Sequence, residues 1–145
     1  MFDTVVIATD GSESGRRAVD AALDVAATFD AAVHALYVVD ESQVDPLPED
    51  IHDEVRAALD EQATASLSAV EDTTDREVTL TVREGRPAAE VTAYAREVDA
   101  DVVTTGTRDR DGEHSFLLGS VAESVVRNCP VPVLTVRQLE SGMTA

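Results

Sequence analysis

Two glycines, a serine and the loop before them carry the clearest chemical signal in this chain. Gly106 follows a short apolar run of Val102, Val103, Thr104 and Thr105. A polar loop rich in Arg and Asp comes next, then Gly119, Ser120 and a helical pattern through Val121, Ala122, Val125 and Val126. Strand, glycine, polar loop, Gly-Ser and helix start is an arrangement that cradles phosphate. Glycine lets backbone come close to an anion, and a helix N-terminus offers unpaired N–H groups and a favourable dipole. Ser120 adds a hydroxyl, as N-cap or as phosphate donor. The same residues equally describe a plain strand-to-helix turn in which the glycines only bend the chain and Ser120 only caps. Asp10, closing the first apolar run, either accepts from ligand N–H or hydroxyl groups or caps the first helix. Val38, near the end of the second run, either packs on an aromatic base or is core.

The remaining reactive side chains do not assemble into a catalytic or metal motif. His34 lies in a strand and reads as a satisfied strand residue, His52 lies early in the long helix and reads as a surface one, and His114 lies in the polar loop, as a plain loop residue or one that reaches a ligand. Their spacing matches no metal motif. Ser120, at a helix start after glycine, has phosphate-binder geometry rather than that of a nucleophile elbow. Cys129 is the only cysteine, so no internal disulfide forms and a cytoplasmic setting is expected; it reads as a small hydrophobe.

These residues sit on an alternating framework. Thr4 to Thr9 is a continuous apolar run, as in a strand covered on both faces. Ser14 to Phe29 is apolar at Ala18, Ala21, Ala22, Val25, Ala26 and Phe29, a helical stripe with Ser12 as its N-cap. Ala32 to Val39 is a second strand, ending at Asp40. Pro46 and Pro48 mark a loop. Asp50 to Val70 is a long cover helix with Ile51, Val55, Ala58, Leu59, Ala63, Leu67 and Val70 on one stripe. Glu77 to Arg83 alternates, as a strand with one less buried face. Gly85 and Arg86 turn the chain, and Pro87 suits a first helical position ahead of a helix over Ala88 to Val98. Asp101 to Thr105, a helix from about Gly119 and a strand from Val133 to Val136 complete β-α-β-α-β-α-β-α-β. Such alternation implies an α/β fold with a doubly wound parallel sheet and right-handed crossovers, whose ligands bind beyond the C-terminal strand ends.

At 145 residues with 43% hydrophobic and 3% aromatic content, one domain with an aliphatic core is expected. No apolar run reaches the roughly 20 residues of a membrane span, and the N-terminus lacks the basic region of a signal peptide. Net charge is −18, and all basic residues are Arg. Such a surface argues against nucleic acid and anionic membranes as partners. Acid excess without lysine suits a salt-rich cytoplasm, in which carboxylates keep the protein hydrated and salt screens their repulsion.

The opening VVIATDGSESGRRAVDAAL and the closing TGTRDRDGEHSFLLGSVAESVVRNCPVPVLTV together resemble the universal stress protein family, over essentially the whole chain. The resemblance implies one domain over 1–137 with a polar tail at 138–145, and a halophilic archaeal source for this composition. It implies a five-stranded parallel sheet sandwiched by helices, Rossmann-like and of the adenine nucleotide alpha hydrolase-like type. It also implies a homodimer paired through the last strand, Pro132 to Val136. The family divides into ATP binders and non-binders. Binders carry glycine, two residues, glycine, nine residues, then glycine and Ser or Thr; Gly106, Gly119 and Ser120 match, and Asp109 stands at the second glycine. By resemblance, Ala8, Thr9, Asp10 and Val38 meet the base and ribose, while Gly106, Asp109, Gly119, Ser120 and Val121 surround the phosphates. A carboxylate ~4 Å from a phosphate charge costs about 4 kcal/mol at an effective dielectric of ~20, so Asp109 weakens the pocket. Arg108 and Arg110, or Mg²⁺, offset it. Two functions are expected: an ATP-binding stress-response protein with slow hydrolysis at most, or a dimeric interaction or scaffold protein that binds no ATP. A true enzyme on this fold lacks a visible nucleophile or base.

Overall fold

The apolar runs pair side by side. The computed structural model describes residues 2–10, 13–107 and 120–137. Its strands β1 (Thr4–Ala8), β2 (Ala32–Asp40), β3 (Val78–Gly85), β4 (Val102–Thr107) and β5 (Val133–Arg137) form one parallel sheet in the order β3-β2-β1-β4-β5. The helices are α1 (Glu13–Phe29), α2 (His52–Thr73), α3 (Pro87–Glu97) and α4 (Ser120–Asn128), with short 3₁₀ turns at Glu41–Gln43 and Glu49–Ile51. The doubly wound α/β architecture read from the alternation is thus the observed one.

β1 is uninterruptedly apolar because both its faces are covered. Val5 and Ile7 join the core under α1 and α2, whereas Val6 joins the core under α3 and α4. The register places Val6 between His34 and Val103, and Ala8 between Leu36 and Thr105. The Asp101 carboxylate fixes where β1 begins, accepting from the Asp3 and Thr4 N–H groups at 2.7 and 2.9 Å.

Several expectations need correction. β1 stops at Ala8 instead of Thr9, although the Thr9 N–H still donates to the Leu36 carbonyl at 3.0 Å. β4 runs past Thr105 through Gly106, because β5 pairs with it as far as Thr107–Arg137. The long helix starts at His52, since the second 3₁₀ turn takes up Asp50 and Ile51. His52 is not a free surface residue: it is half-buried, and its Nε2–H donates to the Leu47 carbonyl at 2.6 Å, tying down the proline loop. Ala58 lies outside the buried stripe of α2, whose fully covered residues are Ala63, Leu67 and Val70. Phe29 is 43% exposed and meets Phe2 edge-on, with ring centroids 5.1 Å apart. In β3 even the apolar side chains Leu80 and Val82 are exposed, because β3 is an edge strand and α2 packs mainly on β2. The expected N-cap, Ser12, lies outside the described residues.

Candidate functional site at the strand ends

The chain winds from β1 outward to β2 and β3, then returns across β1 to place β4 on its other side. The connections from β1 and β4 therefore leave in opposite directions, and a crevice opens beyond their C-terminal ends. It is a cleft of about 600 Å³. Strand ends supply its floor through Ala8, Thr9, Val38, Thr105 and Gly106. Asp10 and Asp40 stand at the ends of β1 and β2, and the opening of α4 closes one side through Val121 and Ala122.

Of the residues expected in a site, Ala8, Thr9, Asp10, Val38, Gly106 and Val121 are brought together on this cleft. Ser120 is the first residue of α4, directly before Val121. Arg108, Asp109 and Gly119 lie outside the described residues, as do Arg110 and His114.

The geometry at Val38 has a simple origin. Leu36 accepts from Thr9, so its backbone groups face β1. Two residues on, those of Val38 face the same way, but β1 has ended at Ala8. A neighbouring N–H and C=O thus point over the end of β1 at the cleft. Asp40 acts locally. Its Oδ1 accepts from the Ser42 N–H at 2.9 Å and from the Ser42 hydroxyl at 2.7 Å. That cap holds the 3₁₀ turn from which Gln43 reaches the cleft.

Sequence reasoning missed two walls. Gln43, Leu59 and Gln62 line the side formed by α2 and the turn before it, and Pro87 and Val91 line the side formed by α3. No local signal marks them, since they meet only when α2 and α3 pack on opposite faces of the sheet. Among the described residues lining the cleft, none is basic and two are acidic.

The other titratable candidates lie elsewhere. His34 is a half-buried strand residue, with Nδ1 2.9 Å from the Tyr94 hydroxyl. Burial holds its pKa below the usual 6.5. Cys129 is a free, half-buried thiol packed against the core. Among the described residues no group of three or more His, Cys, Asp or Glu side chains is placed to hold a metal, and no helix is long and apolar enough to cross a membrane.

The family model described as "Universal stress protein family" matches residues 1–137. The chain belongs to this family. A universal stress protein of Methanocaldococcus jannaschii is 35% identical over 142 residues, spanning 95% of this chain and 84% of the relative. Among solved structures, the hypothetical protein MJ0577 superposes with a TM-score of 0.83 at 26% identity, over 97% of this chain and 99% of that one. A universal stress protein crystallised in complex with cAMP superposes with a TM-score of 0.70 at 27% identity, over 95% and 98% of the two chains. Universal stress proteins are stress-response proteins, and the five-stranded parallel sheet flanked by helices is what this family member shares with those structures.

Proposed function

We propose that this universal stress protein binds an adenine nucleotide, ATP with Mg²⁺ or a related compound, and uses occupancy of the cleft as a signal, with slow hydrolysis at most. The backbone at Val38 carries this reading. A side-by-side donor and acceptor at the end of β1 complements an adenine edge, which offers an acceptor ring nitrogen beside an amino donor. The apolar side chains of Val38, Leu59 and Val91 suit the faces of the base. The cAMP complex of a structural relative supports the same ligand class.

In this arrangement Asp10 meets the ribose or base, and Ala8 and Thr9 lie beside it. Gly106 and the Ser120–Val121 start of α4 meet the phosphates, the helix N-terminus supplying unpaired N–H groups. Arg108, Asp109 and Gly119 are assigned to the phosphate loop by sequence. Asp109 weakens that loop, with Arg108 offsetting part of the repulsion. Asp109 also favours a second reading, a dimeric interaction or scaffold protein without ATP. The absence of basic residues among those described on the cleft favours it too. Under either reading the dimer forms through Pro132 to Val136: β5 is a sheet edge, and Leu134 on it is 38% exposed. An unpaired strand edge is a template for pairing with a second copy.

Calorimetric titration with ATP and Mg²⁺ in molar-range KCl, on the native protein and on Asp109→Gly, tests the proposal. Binding by the native protein, tightened in the glycine variant, is the expected result. Binding by the variant alone selects the scaffold reading. No binding by either rejects this placement of the phosphate site.

A further inference from the structure

A second concavity, a groove of about 680 Å³, runs between α3 and α4. Pro87 and Val121 line both this groove and the strand-end cleft, so the two adjoin at the N-termini of α3 and α4. Their electrostatics differ. The cleft is lined by Asp10 and Asp40 and, among the described residues, by no cation. The groove is lined by Arg86 and Arg96 and by no acid among the described residues. Both arginines are exposed, and neither has a carboxylate within ion-pair distance among the described residues. Arg56, Arg76, Arg83 and Arg127, by contrast, are paired with Glu84, with Asp30, with Glu90 and Glu97, and with Glu123. In a chain of net charge −18, an arginine left without an acidic partner beside the proposed nucleotide cleft is where a polyanion meets least repulsion.

We propose that the α3–α4 groove continues the nucleotide cleft as a subsite for the distal phosphates of a nucleoside di- or triphosphate, with Arg86 as their cation. This rests on the adenine-nucleotide reading above. Phosphates that start at the N-terminus of α4 lie at Val121, the seam between the two concavities. Arg86, immediately before Pro87 at the N-cap of α3, stands on the groove side of that seam. Its guanidinium offers paired donors to phosphate oxygens. Arg96 lies ten residues further along α3, about 15 Å away at 1.5 Å per residue, and serves as the control.

The experiment titrates adenosine, AMP and ATP into the native protein, Arg86→Gln and Arg96→Gln at one fixed KCl concentration with Mg²⁺. The expected result is an ATP affinity about tenfold or more weaker in Arg86→Gln, adenosine affinity unchanged, and Arg96→Gln like the native protein for all three. Adenosine binding by the native protein with no ATP loss in Arg86→Gln overturns the subsite and leaves the adenine reading intact. Equal ATP losses in both variants also overturn it, since they report net charge and not a site. No binding of adenosine or ATP by the native protein rejects the adenine reading and the subsite with it.

Discussion

The imidazole of His34 lies on the α3 side of the sheet, its Nδ1 2.9 Å from the Tyr94 hydroxyl, which is itself 3.1 Å from the Thr81 hydroxyl. Arg83 lies over the Tyr94 ring, 4.9 Å from its centroid, and pairs with Glu97 at 2.6 Å and Glu90 at 3.6 Å. Desolvation lowers the His34 pKa from 6.5, so the folded protein resists protonation there. Above that value the ring is neutral in both states. As pH falls below it, the unfolded chain takes up the proton first, and stability drops until the lowered folded pKa is passed. Denaturant melts across this window should show native stability falling with pH, and His34→Gln should show a shallower fall. Equal slopes would remove His34 from the cause.

At the junction of β3 and α3 the chain depends on one glycine. Gly85 has φ +146°, and a Cβ there would meet Glu90 Cγ at 3.0 Å. That glutamate is already engaged with Arg83, so it yields less readily than a free side chain. Gly85→Ala should therefore destabilise the protein by about 1–3 kcal/mol, read as a lower urea midpoint at unchanged m-value. A loss below about 0.5 kcal/mol would mean that the junction relaxes easily. The junction matters beyond stability. Pro87 opens α3 without a free N–H to satisfy and lines both concavities, so a shifted turn moves the wall of the cleft along with Arg86.

The molecule as a whole carries far more acid than its ion pairs neutralise. With net charge −18, the folded state concentrates repulsion that the unfolded chain spreads out. Salt relieves it as the screening length falls from ~10 Å at 0.1 M to ~3 Å at 1 M. The melting temperature should thus rise by several degrees between low and molar KCl, and a salt-independent Tm would count against a salt-adapted surface. Under the proposed dimer and nucleotide readings, the same screening would let two acidic copies approach along β5 and a polyphosphate approach the cleft. Binding and dimerisation are therefore compared at matched ionic strength.

What the sequence determined by itself was local. Continuous apolar runs such as Val5 to Ile7, the helical stripe through Ala18, Ala22 and Ala26, and the Gly85–Pro87 turn placed every strand and helix to within a few residues. Periodicity and turn chemistry are properties of neighbouring residues, and so they are legible. The strand-end part of the cleft was legible for the same reason: Ala8, Thr9, Asp10, Val38 and Gly106 lie at or just past strand ends, and a parallel sheet puts strand ends together. Tertiary structure alone decided the rest. That Leu80 and Val82 are exposed follows from β3 being an edge, which no stretch of β3 encodes. That Gln43, Leu59, Gln62 and Val91 face one cavity, and that Arg86 stands unpaired where this cavity meets a second, depends on α2 and α3 packing on opposite faces of the sheet. Those contacts join residues far apart in the chain, and their geometry is set by the shared core beneath them.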